Sequence, residues 1–87
     1  MERIDRIEQA LRDAFDPVEL RVKDQSHLHA GHAGARDGLG HFDVFIVSDA
    51  FKDVGRVRRH QMVYAAMGDM MQTDIHALAI RARAVDE

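Results

Sequence analysis

The sequence predicts an α/β fold of the α+β type, ordered α-β-β-α-β, with two helices covering one face of a three-stranded mixed sheet. Three observations predict it. Apolar residues recur at three- and four-residue spacing in two separate stretches, as on a helix with one buried stripe. Three other stretches alternate with period two or are apolar throughout, as strands do. The helical and strand patterns follow one another in an order that lets both helices pack on the same sheet.

The first helix carries Ile4, Ile7, Leu11, Ala14 and Phe15 on its stripe, with Glu, Asp, Arg and Gln between them. Asp16-Pro17 ends it, because proline disfavours helical geometry at the residue before it and has no N–H to donate. Val18, Leu20 and Val22 then alternate with Glu19, Arg21 and Lys23, which predicts a half-buried strand. From Ser26 to Gly40 the pattern is lost and glycine appears at 31, 34, 38 and 40, so a long loop is expected, of the kind that commonly carries function. Phe42 to Val47 is almost entirely apolar, which suits a central strand or one covered on more than one side. Ser48-Asp49 closes that strand and offers capping chemistry. Beyond a connection from Ala50 to Gly55, the residues Val57, His60, Val63, Tyr64, Met67, Met70 and Met71 predict one second helix, broken at Thr73-Asp74. Leu78, Ile80 and Ala82 alternate with Ala79, Arg81 and Arg83 in a last strand, whose pleat is expected to set His76 on the face of Leu78 and Ile80. The first two strands should pair antiparallel, and a right-handed crossover through the second helix should make strands two and three parallel.

Eighty-seven residues predict one domain, 1–87. Such a chain buries only about 60–65% of its unfolded surface, leaving room for one core. There is no cysteine, so the chain supplies neither disulfide, thiol nucleophile nor thiolate ligand, and any soft ligand must come from another molecule. No apolar run resembles a signal peptide or approaches the ~20 residues needed to span a bilayer, which gives a cytoplasmic protein without membrane contact as the expectation. A formal charge of −3 argues against nucleic-acid binding by bulk electrostatics. No nucleophile, acid–base pair or phosphate loop supports catalysis, so a non-enzymatic protein is expected.

Six histidines are a high count for so short a chain. Their order, with neighbouring motifs, is Gly31-His32, His41-Phe42, Val47-Ser48, Phe51, Arg59-His60, Val63-Tyr64 and Ile75-His76-Ala77-Leu78, with nine positions from His32 to His41. In order and spacing this resembles the BolA family over nearly the whole chain. The resemblance implies a class II KH-like fold. A KH domain clamps nucleotides with a Gly-x-x-Gly loop, whereas the corresponding residues here are Lys52-Asp53-Val54-Gly55, so its nucleic-acid machinery does not follow from topology. The resemblance further implies a complex with a monothiol glutaredoxin of the Cys-Gly-Phe-Ser type that shares a [2Fe-2S] cluster, for iron–sulfur cluster trafficking or iron homeostasis. One iron would take the glutaredoxin cysteine and a glutathione thiol. The other would take two histidines that map to His76 and His32, with His29 competing for the place of His32. No cofactor is expected in the isolated protein, which would be a monomer or weak homodimer. Imidazoles replacing thiolates lower the negative charge of such a cluster and raise its potential. Protons compete with iron for each imidazole, so ligation should weaken in acid.

Each residue also has a plainer role. His76 could be a hydrogen-bonded histidine at the core edge, His41 a structural residue opening a strand, and His60 a packed or capping residue beside Arg59. His27, His29 and His32 could form a self-contained metal loop, although no carboxylate accompanies them as a base. Arg56, Arg58 and Arg59 form a basic patch at the front of the second helix, and some BolA relatives are described as transcriptional regulators. That helix is therefore the candidate DNA reader, set against the simpler reading of a solvated face. The methionines are expected to fill core. The chain departs from the family pattern at Gln25, commonly acidic, at Gly40, often threonine, and in lacking a proline after the last strand.

Overall fold

The computed structural model describes residues 2–26 and 40–87. The elements are α1 (Arg3–Phe15), β1 (Glu19–Asp24), β2 (Gly40–Val47), a 3-10 turn (Asp49–Phe51), α2 (Arg56–Met67), a four-residue α3 (Met70–Thr73) and β3 (Ile75–Arg83). The strand order is β1-β2-β3, with β1 antiparallel and β3 parallel to β2. Along β2 burial alternates strictly, Phe42, Val44 and Ile46 being closed off while His41, Asp43, Phe45 and Val47 are half-buried. The apolar look of this strand thus reflects its central place, with only one face carrying the core.

That core joins Ile7, Leu11 and Phe15 of α1 to the inner side chains of β2, to Phe51, to Val63 and Met67 of α2, and to Ile75 and Leu78 of β3. The chain leaves α1 through Asp16, whose positive φ of 45° turns it out of the helix, while its N–H still reaches the Arg12 carbonyl at 3.0 Å. Ser48 then locks the layers. Its hydroxyl donates to the Phe15 carbonyl at 2.6 Å and accepts from the Ala50 N–H at 3.1 Å, all at 1% exposure. One side chain satisfies a helix end and caps the 3-10 turn. The cap chemistry expected of Ser48 is present.

Three expectations need correction. Val18 lies outside β1 and is 68% exposed, because the strand begins only at Glu19. The second helix is two helices: Gly68, at φ 57° and ψ −132°, stops α2 after Met67, and α3 restarts at Met70. The buried stripe of α2 is correspondingly narrow, since Val63 and Met67 are buried whereas Val57 is 72% and Tyr64 41% exposed. Met67 fills core as expected, with Met70 and Met71 packed against it from α3. Asp74, just after α3, accepts from the Arg6 guanidinium at 2.6 Å, from Arg3 at 3.4 Å and from the Thr73 hydroxyl at 2.9 Å, tying α1 to the start of β3.

Candidate functional site

The site grows from an irregularity in the β2–β3 ladder. Gly40 pairs with Ile75 but His41 pairs with Ala77, so β3 carries one extra residue, His76, opposite the step between Gly40 and His41. A bulge of this kind re-aims a side chain. Ile75 and Leu78, three apart, are both buried, and His76 between them is exposed. The expectation that His76 shares the face of Leu78 and Ile80 is therefore wrong: the inserted residue breaks the period-two count, and the imidazole leaves the core.

What it meets outside is His41. The two ring centroids are 4.9 Å apart and the planes cross at 45°. His41 Nε2 is shielded from solvent, which leaves His76 as the presented imidazole of the pair. His41 is held by its backbone on both sides of its peptide unit. Its N–H donates to Ser26 Oγ at 3.1 Å and its carbonyl accepts from the Gln25 N–H at 2.7 Å. Ser26 is itself turned by its N–H bonding the Asp24 carboxylate at 2.8 Å. On the other side, the Gly40 N–H donates to the Asp74 carbonyl at 2.9 Å.

Ser26 and Gly40, the described residues on either side of 27–39, thus both lie at His41, beside His76. His29 and His32, the sequence-derived candidates for the second ligand, lie outside the described residues, as does His27. Chain length alone sets their reach: three residues from Ser26 span at most about 10 Å and six about 21 Å. Among the described residues no group of three or more His, Asp or Glu forms a metal cage. Two imidazoles completed by ligands from outside would need none.

The third candidate set is split by the structure. Arg59 points back into the molecule, donating to the Val54 carbonyl at 2.7 Å, to the Ala82 carbonyl at 3.0 Å and, through both terminal nitrogens, to the Glu87 carboxylate. These contacts raise the pKa of Arg59, chiefly through the Glu87 hydrogen bond, and the same bond with the Ala84 N–H draws Glu87 down to about 2. Arg56 and Arg58 are exposed. His60 is half-buried beside Arg59, in a cleft between α2 and β3.

The family profile described as BolA-like protein matches residues 11–87. The chain belongs to the BolA family. BolA proteins form a non-enzymatic family. Among curated relatives, SufE-like protein 1 of Arabidopsis thaliana is 45% identical over 90% of this chain and 22% of that protein. The chloroplastic protein BOLA1 of the same plant is 39% identical over 98% of this chain and 55% of that protein. The protein named DNA-binding transcriptional regulator BolA in Escherichia coli K12 is 40% identical over 95% of this chain and 76% of its own length. The chain thus spans about a fifth and about half of the two plant proteins. Among solved structures, the BolA domain of SufE1 from Arabidopsis thaliana superposes with a TM-score of 0.87 at 40% identity, covering 99% of this chain and 95% of that one. BolA1 from the same plant gives 0.85 at 33% identity, covering 100% and 96%. Among the described residues of this BolA chain, no helix is long and apolar enough to cross a membrane.

The sequence singled out His76 but not its surroundings. His41 as its ring neighbour was missed, although one signal was present. The three-residue spacing of Ile75 and Leu78 is out of step with the alternation of Leu78, Ile80 and Ala82.

Proposed function

We propose that this BolA protein works with a monothiol glutaredoxin of the Cys-Gly-Phe-Ser type, in the cytoplasm, sharing a [2Fe-2S] cluster for iron–sulfur cluster trafficking or iron homeostasis. His76 is one ligand and His32, with His29 as its competitor, the other. The cluster is cargo held between two proteins and glutathione. The observation that carries this reading is the exposed His76 imidazole, thrown outward by the bulge at the place where Ser26 and Gly40, on either side of the histidine-bearing segment, are anchored. An imidazole carried on a strand of the sheet is held by the ladder around it, so His76 supplies a ligand in a fixed place. The role of His41 is positioning: its ring backs that of His76 and limits its rotamers.

The test mixes the protein with a monothiol glutaredoxin, glutathione and an iron–sulfur donor. A heterodimer with visible absorption is expected, and His76→Ala is expected to alter or abolish that spectrum. An unchanged spectrum would rule out His76 as ligand. Single His32→Ala and His29→Ala variants assign the second position.

A second reading, as a DNA-binding regulator, is favoured by the name of the E. coli relative and by the exposure of Arg56 and Arg58 at the start of α2. It predicts duplex affinity that falls steeply with salt and drops in an Arg56→Ala, Arg58→Ala variant. Arg59, committed to Glu87, would contribute least.

A further inference from the structure

A cleft of about 530 Å³ opens between the first half of α2 and the outer edge of β3. β3 is an edge strand, and the Arg83 carbonyl faces inward to accept from the Ser48 N–H. Alternate carbonyls, those of Leu78, Ile80 and Ala82, therefore face outward. The Tyr64 hydroxyl reaches the Leu78 carbonyl at 3.4 Å and Arg59 the Ala82 carbonyl at 3.0 Å, so two side chains of α2 bridge to the edge and bound the cleft. Between them Ile80 and Ala82, with Val54, give an apolar floor.

The walls are basic. Arg56, Arg59 and Arg83 line the cleft against one acid, Glu87, an excess of two positive charges in a chain whose formal net charge is −3. Arg81 also lines it, but its guanidinium lies over the Phe45 ring, 5.2 Å from the centroid, and is left out of that sum. The Arg59 side chain is only 12% exposed and its fork is filled by the Glu87 carboxylate. The chain's own acid thus occupies the place an anionic ligand would take.

We infer that this cleft binds a phosphate-bearing small molecule of nucleotide size, and that Glu87 fills the Arg59 fork until such a ligand displaces it. A guanidinium fork fits carboxylate and phosphate alike. A ligand with one carboxylate would gain nothing, since it exchanges for a tethered carboxylate already in place. A chain of two or three phosphates answers Arg59, Arg56 and Arg83 together. The volume lies within the range of small-molecule sites, about 300–1,000 Å³, and the apolar floor offers room for a flat ring. Arg83 is seven residues along β3 from His76, roughly 23 Å at strand rise, so this site and the histidine site can be occupied independently.

The test is titration of the folded protein with inorganic triphosphate and, separately, with ATP at fixed ionic strength, read by calorimetry and amide chemical shifts. Glu87→Gln is expected to bind triphosphate about tenfold tighter than wild type, because it releases one charge-assisted fork. The Arg56→Glu, Arg83→Glu double variant is expected to lose binding, with Arg12→Glu, Lys23→Glu, exposed and outside the cleft, as the charge-matched control that keeps it. Shifts should centre on residues 54–60 and 80–87. Tighter binding of ATP than of triphosphate supports a ring on the Ile80 floor, and equal binding supports a phosphate chain as the whole ligand. Equal affinity in wild type and Glu87→Gln, or binding that survives the double reversal, overturns the inference. So does a single-stranded oligonucleotide that binds tighter than either probe, which would assign the cleft to phosphodiester strands.

Discussion

Gly40 is the residue through which core packing controls the histidine pair, and Gly40→Ala puts that link to the test. A Cβ at this position would lie 2.5 Å from Cε2 and 2.8 Å from Cζ of Phe42, and 2.9 Å from Ser26 Oγ. Carbon atoms settle at about 3.5–4.0 Å, so something must move by about 1 Å. Ser26 can rotate, but Phe42 is 1% exposed and wedged in the core. Overpacking of this kind costs about 1–3 kcal/mol, against about 0.4–1 kcal/mol recovered by stiffening the unfolded chain. The net expectation is a loss of about 1–2 kcal/mol, or roughly 4–16 °C in Tm for a chain of this size. Urea denaturation with thermal melting measures it. Because the displaced backbone is that of Gly40 and His41, the ring-proton resonances of His41 and His76 should shift as well, while those of Tyr64 stay in place. A stability within 0.5 kcal/mol of wild type would refute the packing argument, and a stable decrease without change at the two rings would refute its link to the site. Threonine brings more bulk and should cost more than alanine.

Other perturbations separate the remaining contributions. Ser48→Ala removes the donor to the Phe15 carbonyl and the acceptor for the Ala50 N–H at a site 1% exposed, and should cost about 2–3 kcal/mol by denaturation, a large part of the few to about 13 kcal/mol available. Gly68→Ala meets no atom within 4 Å, so any destabilisation, expected at about 1–3 kcal/mol, comes from backbone strain at φ 57° alone, and an unchanged melting curve would discount that strain. Acid should unfold the protein through two carboxylates. Hydrogen bonds from Arg6, then Thr73, hold Asp74 below its ordinary 3.8, and those from Arg59 and the Ala84 N–H draw Glu87 from 4.5 to about 2. Both folded values are depressed, so the unfolded chain binds more protons in this range and both contributions, complete above about pH 5, are lost as pH falls through 4.5 toward 2. Denaturation between pH 7 and 2 should show that decline, shallower in Asp74→Asn and Glu87→Gln. An undiminished slope in both variants would mean that other groups govern acid stability.

Much of the fold could be read in advance because its elements are amphipathic with clear period. Ile7, Leu11 and Phe15 repeat at four, and Leu20, Val22, Leu78, Ile80 and Ala82 at two, and each lies inward in the structure. The second helix was overextended because Met70 and Met71 continue the apolar rhythm of Met67, and apolar rhythm carries no record of φ at Gly68. Val57 misled in the opposite way: a stripe position at the first turn of a helix has nothing to pack against once the chain enters from the 3-10 turn.

The site was legible in its residues and not in its geometry, and the reason is one of counting. A strand pattern assigns faces by parity, so a single inserted residue reverses the assignment for everything on one side of it. Here the reversal falls between His76 and Leu78, and it converts a core-edge histidine into an exposed one at no cost in apolar burial, since Ile75 takes the inward place. The bulge therefore keeps the core intact while freeing one imidazole. Closing it would be the direct proof: deleting His76 restores regular pairing of β2 with β3, and such a variant should remain folded with Ile75 and Leu78, then two positions apart, both on the inner face. Amide exchange along β3 reads the outcome. If the deletion protected the strand better than wild type, the bulge would be a destabilising feature retained for what it presents; if protection collapsed, it would be needed by the fold itself, and the exposure of His76 would be its by-product.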